Sequence, residues 1–181
     1  MKKTSFFAIC ILIISVFVCT PSFSVTLDDI DGMWDTYSKA KLKISGIGSF
    51  SDENFSETTL DLANTFVLTE TSSTGTYYYS GNFDLIDGKK LYFELDLAGR
   101  AELVRTWVDW AEEIARENGV VAEDINFSIE SLTVSRPSIN KRTLIPKKAT
   151  IKAKGRATAW IDGEFFDKKF FYTSKVSFIG R

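Results

Sequence analysis

A period of two in hydrophobicity runs through most of this chain, and it constrains the fold more than any other feature. Alternating apolar and polar residues are typical of strands that bury one face. The clearest apolar row spans two successive predicted strands: Tyr77, Tyr79, Phe83, Leu85, Leu91, Phe93 and Leu95. The pattern predicts a mostly-β domain of seven or eight antiparallel strands.

The period changes to 3.6 in one segment, at about residues 100–118. Leu103, Trp107, Trp110 and Ile114 fall on one face of that segment, and charged residues occupy the opposite face. Gly119 follows as a left-handed residue that can end a helix. We therefore expect one amphipathic helix, inserted in mid-chain and packed on an apolar surface.

Turns and irregularities are expected at several positions along the first half of the β region. Gly46 and Gly48 predict a bend within a long first strand, and the polar residues 49–56 predict a loop after it. A three-residue loop, Ile86-Asp87-Gly88, is expected to pair Phe83 with Leu91 and Gly81 with Phe93.

The second half of the β region also contains predicted irregularities and turns. A phase change between Ile129 and Leu132 predicts a β-bulge near Glu130-Ser131. Pro137 and Pro146 bracket an edge strand or a loop. The final pair of strands, 149–161 and 164–179, is expected to turn at Asp162-Gly163.

The first 24 residues have the pattern of a bacterial signal peptide. Lys2 and Lys3 precede an apolar run from Phe6 to Val18, and Ser22-Phe23-Ser24 places small residues before a cut at Val25. We expect export to the periplasm or the extracellular space, and one domain over residues 25–181. The apolar run is too short to span a membrane.

Composition excludes several classes of chemistry. Both cysteines, Cys10 and Cys19, lie in the predicted signal peptide, and the chain has no histidine. Residues 25–181 hold 20 basic and 24 acidic side chains, a net charge of −4, which argues against a nucleic-acid partner. No catalytic motif, cofactor motif or metal-ligand set stands out. The alternate oxygens of Asp52, Asn54 and Ser56 lack the glycine and glutamate spacing of a calcium loop.

The strand at 149–161 carries small residues on one face. Ala149, Ala153, Gly155, Ala157 and Ala159 leave room that close packing must fill. Two fillers remain open: the protein's own aromatic side chains, including those of the helix, or a ligand. The other face carries Lys152, Lys154, Arg156 and Trp160, which indicates a solvated basic surface or a contact for an anionic partner.

Aromatic residues are abundant, at 14% of the chain, and many lie in the predicted inward rows. Such side chains can line an apolar pocket and offer hydroxyls that orient a ligand. Asn64 is the polar member of its row. The candidate ligand-binding residues are therefore Asn64, Tyr77, Tyr79, Phe83, Phe93, Trp107, Trp110, Phe170 and Tyr172.

Gly32-Met33-Trp34, after a short acidic lead-in and before a long strand, resembles the Gly-x-Trp opening of lipocalins and other calycins. The resemblance implies an up-and-down β-barrel that takes a small hydrophobic molecule. It also implies that Gly32 and Trp34 close the barrel base beneath a basic residue, either Lys175 or Arg181. The mid-chain helix departs from the lipocalin order, so a related topology, another helix-bearing barrel and a β-sandwich remain open.

The function expected from the sequence is a non-enzymatic carrier or binding protein for a small lipophilic molecule or lipid. The alternative is a structural or interaction module of the bacterial cell envelope that contacts a protein or glycan. A carboxylate and tyrosine enzyme would need a polar cluster in a cleft, which the sequence does not reveal.

Overall fold

A computed structural model describes residues 24–72 and 74–181. The signal peptide expected at residues 1–24 therefore lies, except for Ser24, outside the described residues. The described chain forms eight strands and one helix. Their bounds are β1 Gly32–Ile44, β2 Gly48–Asp61, β3 Thr65–Ser72, β4 Gly75–Ile86, β5 Lys90–Leu95, α1 Leu97–Glu117, β6 Ala122–Val134, β7 Ala149–Ile161 and β8 Glu164–Gly180.

All the strands belong to one antiparallel sheet, in the order β5-β4-β3-β2-β1-β8-β7-β6. Consecutive strands are neighbours except for β5 and β6, which form the two edges of the sheet, and β1 pairs with β8 along ten residues from Asp35 to Ile44. The result is a nearly closed up-and-down barrel, with the remaining gap between β5 and β6. The mostly-β domain with one mid-chain helix, predicted from the hydrophobic pattern, is confirmed, and so is the up-and-down barrel implied by the resemblance to calycins.

Two segments cover the gap between β5 and β6. The helix α1 packs on β4 and β6, alongside the half of β4 that β5 does not reach. In the other half, the backbone of Leu91 donates to the Pro137 carbonyl and that of Ile139 to the Lys89 carbonyl, both at 2.9 Å. The segment between the two prolines is thus a loop with isolated bridges that protects the edge of β5.

The helix begins earlier than its hydrophobic period predicts. Asp96 caps it, because its carboxylate accepts a 2.7 Å hydrogen bond from the Gly99 amide. Glycine is required at position 99, since a Cβ there would lie 2.1 Å from the Ser80 carbonyl oxygen of β4. The first turn of α1 therefore lies directly on the sheet backbone. Gly119 adopts the expected left-handed conformation after the helix, with φ 68°.

The start of the barrel differs from the sequence prediction. Gly46 lies in the turn between β1 and β2, and Gly48 begins β2, so neither bends a long strand. The residues predicted as a polar loop are the first half of β2. Their alternation was hidden because the inward row there is polar, with Asp52, Asn54 and Ser56 facing the barrel interior.

The predicted register of the β4–β5 hairpin is wrong: each β4 residue pairs two residues further along β5 than predicted. The structure pairs Phe83 with Phe93 and Leu85 with Leu91, with three residues, 87–89, between the paired Ile86 and Lys90. Asp87 and Gly88 both have positive φ, which places the tight turn one residue later than predicted. The predicted β-bulge near Glu130-Ser131 is confirmed, because the register shifts between Ile129 and Ser131. The predicted turn of the last hairpin at 162–163 is confirmed as well.

Candidate functional site

An apolar pocket of about 470 Å³ opens at the end of the barrel that contains the β1–β2 and β7–β8 turns. It lies between the C-terminal half of α1 and the inner faces of β1, β6 and β7. Of the described residues that line it, only Asn118 and Thr158 have polar side chains. The others are Leu42, Ile44, Gly46, Ile47, Phe50, Ala111, Ile114, Ala115, Val120, Ala122, Ile125, Phe127, Ala157, Ala159, Ile161 and Phe166.

The small residues of β7 explain where this pocket lies. Ala153 and Gly155 are opposite Tyr172 and Phe170 of β8, and Phe170 covers the bare backbone of Gly155. Ala157 and Ala159, further along the same row, line the pocket instead. The row of small residues on β7 is therefore divided into two parts. The protein fills the first part of the row, and the second part borders empty apolar space.

Trp107 forms the boundary between the filled and the empty parts. Its ring lies 5.7 Å from that of Phe127, 5.0 Å from that of Phe170 and 4.9 Å from that of Tyr172, measured between centroids. The side chain is completely buried. Through this residue α1 fills the middle of the barrel, while its later turns, with Ala111 and Ala115, are too small to fill the end.

The nine ligand-binding residues predicted from the sequence lie outside the apolar pocket. Trp107, Phe170 and Tyr172 form the central aromatic cluster, and Phe83 and Phe93 pack toward the opposite end, where Phe93 stacks on Phe178. Asn64 lies in the β2–β3 turn at φ 63°, and its carbonyl accepts from the Phe83 amide. None of the nine is among the residues that line the apolar pocket.

The remaining three predicted residues lie beside a polar region. The Tyr77 hydroxyl donates to Asp109 at 3.0 Å, and the Tyr79 hydroxyl lies 2.9 Å from that of Thr106. Trp110 borders the same region. The ligand-binding role of all nine residues stays a prediction. The pocket that sequence reasoning missed was signalled in the sequence only by the alanines of β7.

A polar cluster inside the barrel joins β2 and β3. The Asn54 amide donates to Asp52 at 2.7 Å and to Glu70 at 2.8 Å. Glu70 is 9% exposed. Burial raises the pKa of this carboxyl group, and hydrogen bonds from Asn54 and Ser38 oppose the rise. Glu70 is therefore a carboxyl group whose charged form is disfavoured by its surroundings.

A cavity of about 70 Å³ adjoins Glu70 and is bordered by Tyr79, Tyr172 and Trp107. Burial raises the pKa of both tyrosine hydroxyls, and the nearby Glu70 carboxyl adds to the effect. The Trp107 indole N–H lies near Tyr172 and, within the described chain, makes no hydrogen bond of ordinary geometry. A polar cavity of this size has room for a few waters. It is bordered by two tyrosine hydroxyls and a buried carboxyl group.

The opposite end of the barrel is closed. Trp34 is 2% exposed, and its indole N–H donates to the Ile30 carbonyl at 2.9 Å. The Arg181 guanidinium carbon lies 4.4 Å from the centre of the Trp34 ring, and the same side chain donates to the Asp29 carbonyl. Gly32 begins β1 at φ 116°, a conformation that favours glycine. Lys175 lies elsewhere, exposed on the outer face of β8.

The described residues contain no group of three or more carboxylates arranged to hold a metal ion. In this part of the chain, no helix has the length and apolar character needed to cross a membrane. Comparison with known protein families and with characterised proteins finds no match to this chain. The barrel is therefore established by its geometry, and membership of the lipocalins is not.

Proposed function

We propose that this protein is a non-enzymatic binding or carrier protein for a small lipophilic molecule or lipid. The observation that carries the proposal is the apolar pocket of about 470 Å³ at the open end of the barrel. Its volume lies within the range of small-molecule sites, and apolar walls with few polar groups are typical of such sites. The residues expected to bind the ligand are those of this pocket, and Trp107 lies behind it.

The shape of the pocket sets the character of the ligand. Ile44, Ile114 and Ile125 offer an apolar surface on three sides. The amide of Asn118, at the end of α1, is the polar side chain at the edge of these walls, and it donates to the Ile114 carbonyl at 2.8 Å. Transfer of apolar ligand surface from water into the pocket supplies about 25 cal/mol for each Å² buried.

We also propose that the protein works outside the cytoplasm, in the periplasm or beyond it, on the basis of the signal-peptide pattern at residues 1–24. The absence of cysteine from residues 25–181 suits such an environment, because no free thiol is exposed to oxidation. Fractionation of cells that express the full chain tests this proposal. Retention of an unprocessed chain in the cytoplasm would contradict it.

Filling the pocket tests the binding proposal. In Ala159→Phe the added ring points into apolar space, so we expect binding of a fluorescent fatty-acid analogue to weaken at least tenfold. Ala101→Phe places the same ring on an exposed position of α1 and should leave affinity unchanged. Titration of probe fluorescence measures both. Equal affinity in the two variants, or absence of binding by the unaltered protein, would contradict the proposal.

The second candidate function is an interaction module of the cell envelope. One observation favours it: Trp160 and Phe165 are 43% and 59% exposed and pack together at the tip of the β7–β8 hairpin, with ring centroids 5.4 Å apart. Exposed aromatic pairs are common in contacts with proteins and glycans. Binding of an envelope protein or glycan that Trp160→Ala abolishes, together with no uptake of apolar probes, would favour this candidate.

A further inference from the structure

A basic surface lies on the outside of the barrel, on the wall formed by β1, β8 and β7. Phe171 of β8 is at its centre, flanked on the neighbouring strands by Lys43 and Lys154, which are its direct partners in register. Four more cations occupy the adjoining positions: Lys41, Lys152, Arg156 and Lys169. All six side chains are exposed. We call these six residues and Phe171 the basic wall.

The charge of the basic wall contrasts with that of the chain as a whole. Residues 25–181 carry a net charge of −4, yet six cations surround one side chain here. Arg156 is paired with Asp167 at 2.8 Å, and that pair is half exposed. Like charges held close on a sheet repel one another. An anionic partner that covers such a surface lowers its free energy by neutralising this repulsion.

Apolar side chains stand out from the same wall. Phe171 is 48% exposed, and Phe165, on the same face of β8, is 59% exposed. Trp160, paired with Phe165, is 43% exposed. Tryptophan and phenylalanine side chains are typical of protein surfaces that enter the boundary between lipid headgroups and acyl chains. A soluble polyanion would satisfy the cations but would leave these rings in water.

We propose that the basic wall docks on the surface of a bilayer that contains anionic phospholipids. The six cations contact the headgroups, and Phe171, Phe165 and Trp160 enter the interfacial layer. Peripheral attachment of this kind combines electrostatic attraction with burial of a few apolar side chains. The combination of the two features on one wall is the reason for choosing a bilayer over a glycan or another polyanion.

Docking also places the apolar pocket close to the lipid. Ile44 and Ile47 line the pocket and closely follow Lys43 in the chain, and Phe166 lines it beside Phe165. The mouth of the pocket therefore borders the docking surface. Exchange of a lipid between pocket and bilayer rests on the proposed function, whereas docking itself does not, because the basic wall needs no occupant in the pocket.

Vesicle co-sedimentation of the chain 25–181 tests the proposal. We expect binding to vesicles of phosphatidylglycerol and phosphatidylcholine at a ratio of 3:7, weakened at least tenfold by 0.5 M NaCl and absent with pure phosphatidylcholine. Lys43→Glu/Lys154→Glu should weaken binding at least tenfold. The control Lys89→Glu/Lys90→Glu makes the same change of charge at two exposed positions, the end of the β4–β5 turn and the start of β5, and should bind like the unaltered protein.

Tryptophan emission gives a second measurement that reports the contact itself. We expect a blue shift on binding to the anionic vesicles, lost in Trp160→Phe, since Trp160 is the exposed tryptophan of this wall. Equal binding by both charge variants, binding to pure phosphatidylcholine at the same strength, or binding to dextran sulfate without binding to vesicles would overturn the proposal. Ala159→Phe separates the two proposals, because it should lose the apolar probe and still bind vesicles.

Discussion

The two ends of this barrel are built from side chains of different size, and one end is closed while the other is open. At one end Trp34 packs edge-on against Phe178 and lies beneath Arg181, so that large side chains fill the space between the strands. At the other end the inward row of β7 finishes in Ala157 and Ala159, and about 470 Å³ stays empty. The comparison shows that a barrel end is closed by specific large residues and is otherwise left open.

The helix contributes differently to the two halves. Trp107 fills the middle of the barrel, and the residues one and two turns later, Ala111 and Ala115, only border the pocket. The N-terminal half of this helix thus fills part of the barrel interior, and its C-terminal half forms one wall of the pocket. Along the row Leu103, Trp107, Ala111 and Ala115 the side chains of α1 change from large to small, and this change sets the depth of the pocket.

Removal of the ring that closes the base should have the largest effect on stability. For Trp34→Ala we expect the free energy of unfolding to fall by about 3–5 kcal/mol, because the change leaves a cavity in a well-packed region. Met33→Ala, at a neighbouring position that is 58% exposed, should change it by no more than about 0.5 kcal/mol. Urea unfolding measures both. Equal losses in the two variants would show that the base is not tightly packed.

The buried carboxyl group between the two ends should make stability depend on pH. The folded-state pKa of Glu70 is raised, so its contribution to stability is fully present below the unfolded pKa and is lost as pH rises through the folded pKa. A tenfold difference between the acid dissociation constants of the folded and unfolded states corresponds to about 1.4 kcal/mol. Relative to Glu70→Gln, the unaltered protein should therefore lose stability as pH rises above about 4.

Urea unfolding of both proteins across pH measures this difference. The other titratable groups that line the cavity beside Glu70 are Asp52 of β2, Tyr79 of β4, Tyr172 of β8 and Glu113 of α1. Glu57→Gln removes a carboxylate on the exposed face of β2 and controls for a general effect of charge. A difference that is constant with pH, or one that grows as pH falls, would contradict the assignment.

The smallest effect is expected at the rim of the closed end. Arg181→Ala removes the guanidinium over Trp34 and its hydrogen bond to the Asp29 carbonyl, and should cost about 0.5–1 kcal/mol. Lys175→Ala, which removes an exposed charge from the same strand, should cost less. Thermal unfolding at low and high salt compares them. Greater destabilisation by Lys175→Ala would mean that the wrong cation has been placed at the base.

Much of the fold could be predicted because both periods are strong in this sequence. The alternation along β4, β7 and β8 and the 3.6 period of α1 arise because each element buries one face. The order of apolar and polar residues in the sequence shows this burial directly. The turn at 162–163 and the bulge near Ser131 follow from residue chemistry in the same way. The first half of β2 escaped prediction because its inward residues, Asp52 and Asn54, are polar and satisfy one another inside the barrel.

The position of the pocket could not be predicted in this way. Inward-facing aromatic residues look alike in the sequence whether they fill the interior or surround a ligand. Their fate depends on how far along the barrel axis α1 inserts Trp107, which is a property of the assembled tertiary structure. The small residues of β7 carried the relevant signal, but half of that row packs against Phe170 and Tyr172 and half borders the pocket.

Native mass spectrometry of the chain 25–181, purified after export from its own cells and then extracted under denaturing conditions, tests the pocket most directly. We expect a reproducible additional mass that is released as a small lipophilic molecule, and its loss in Ala159→Phe but not in Ala101→Phe. Protein that carries no additional mass and also fails to bind an apolar fluorescent probe would contradict the assignment of the open end as a ligand site.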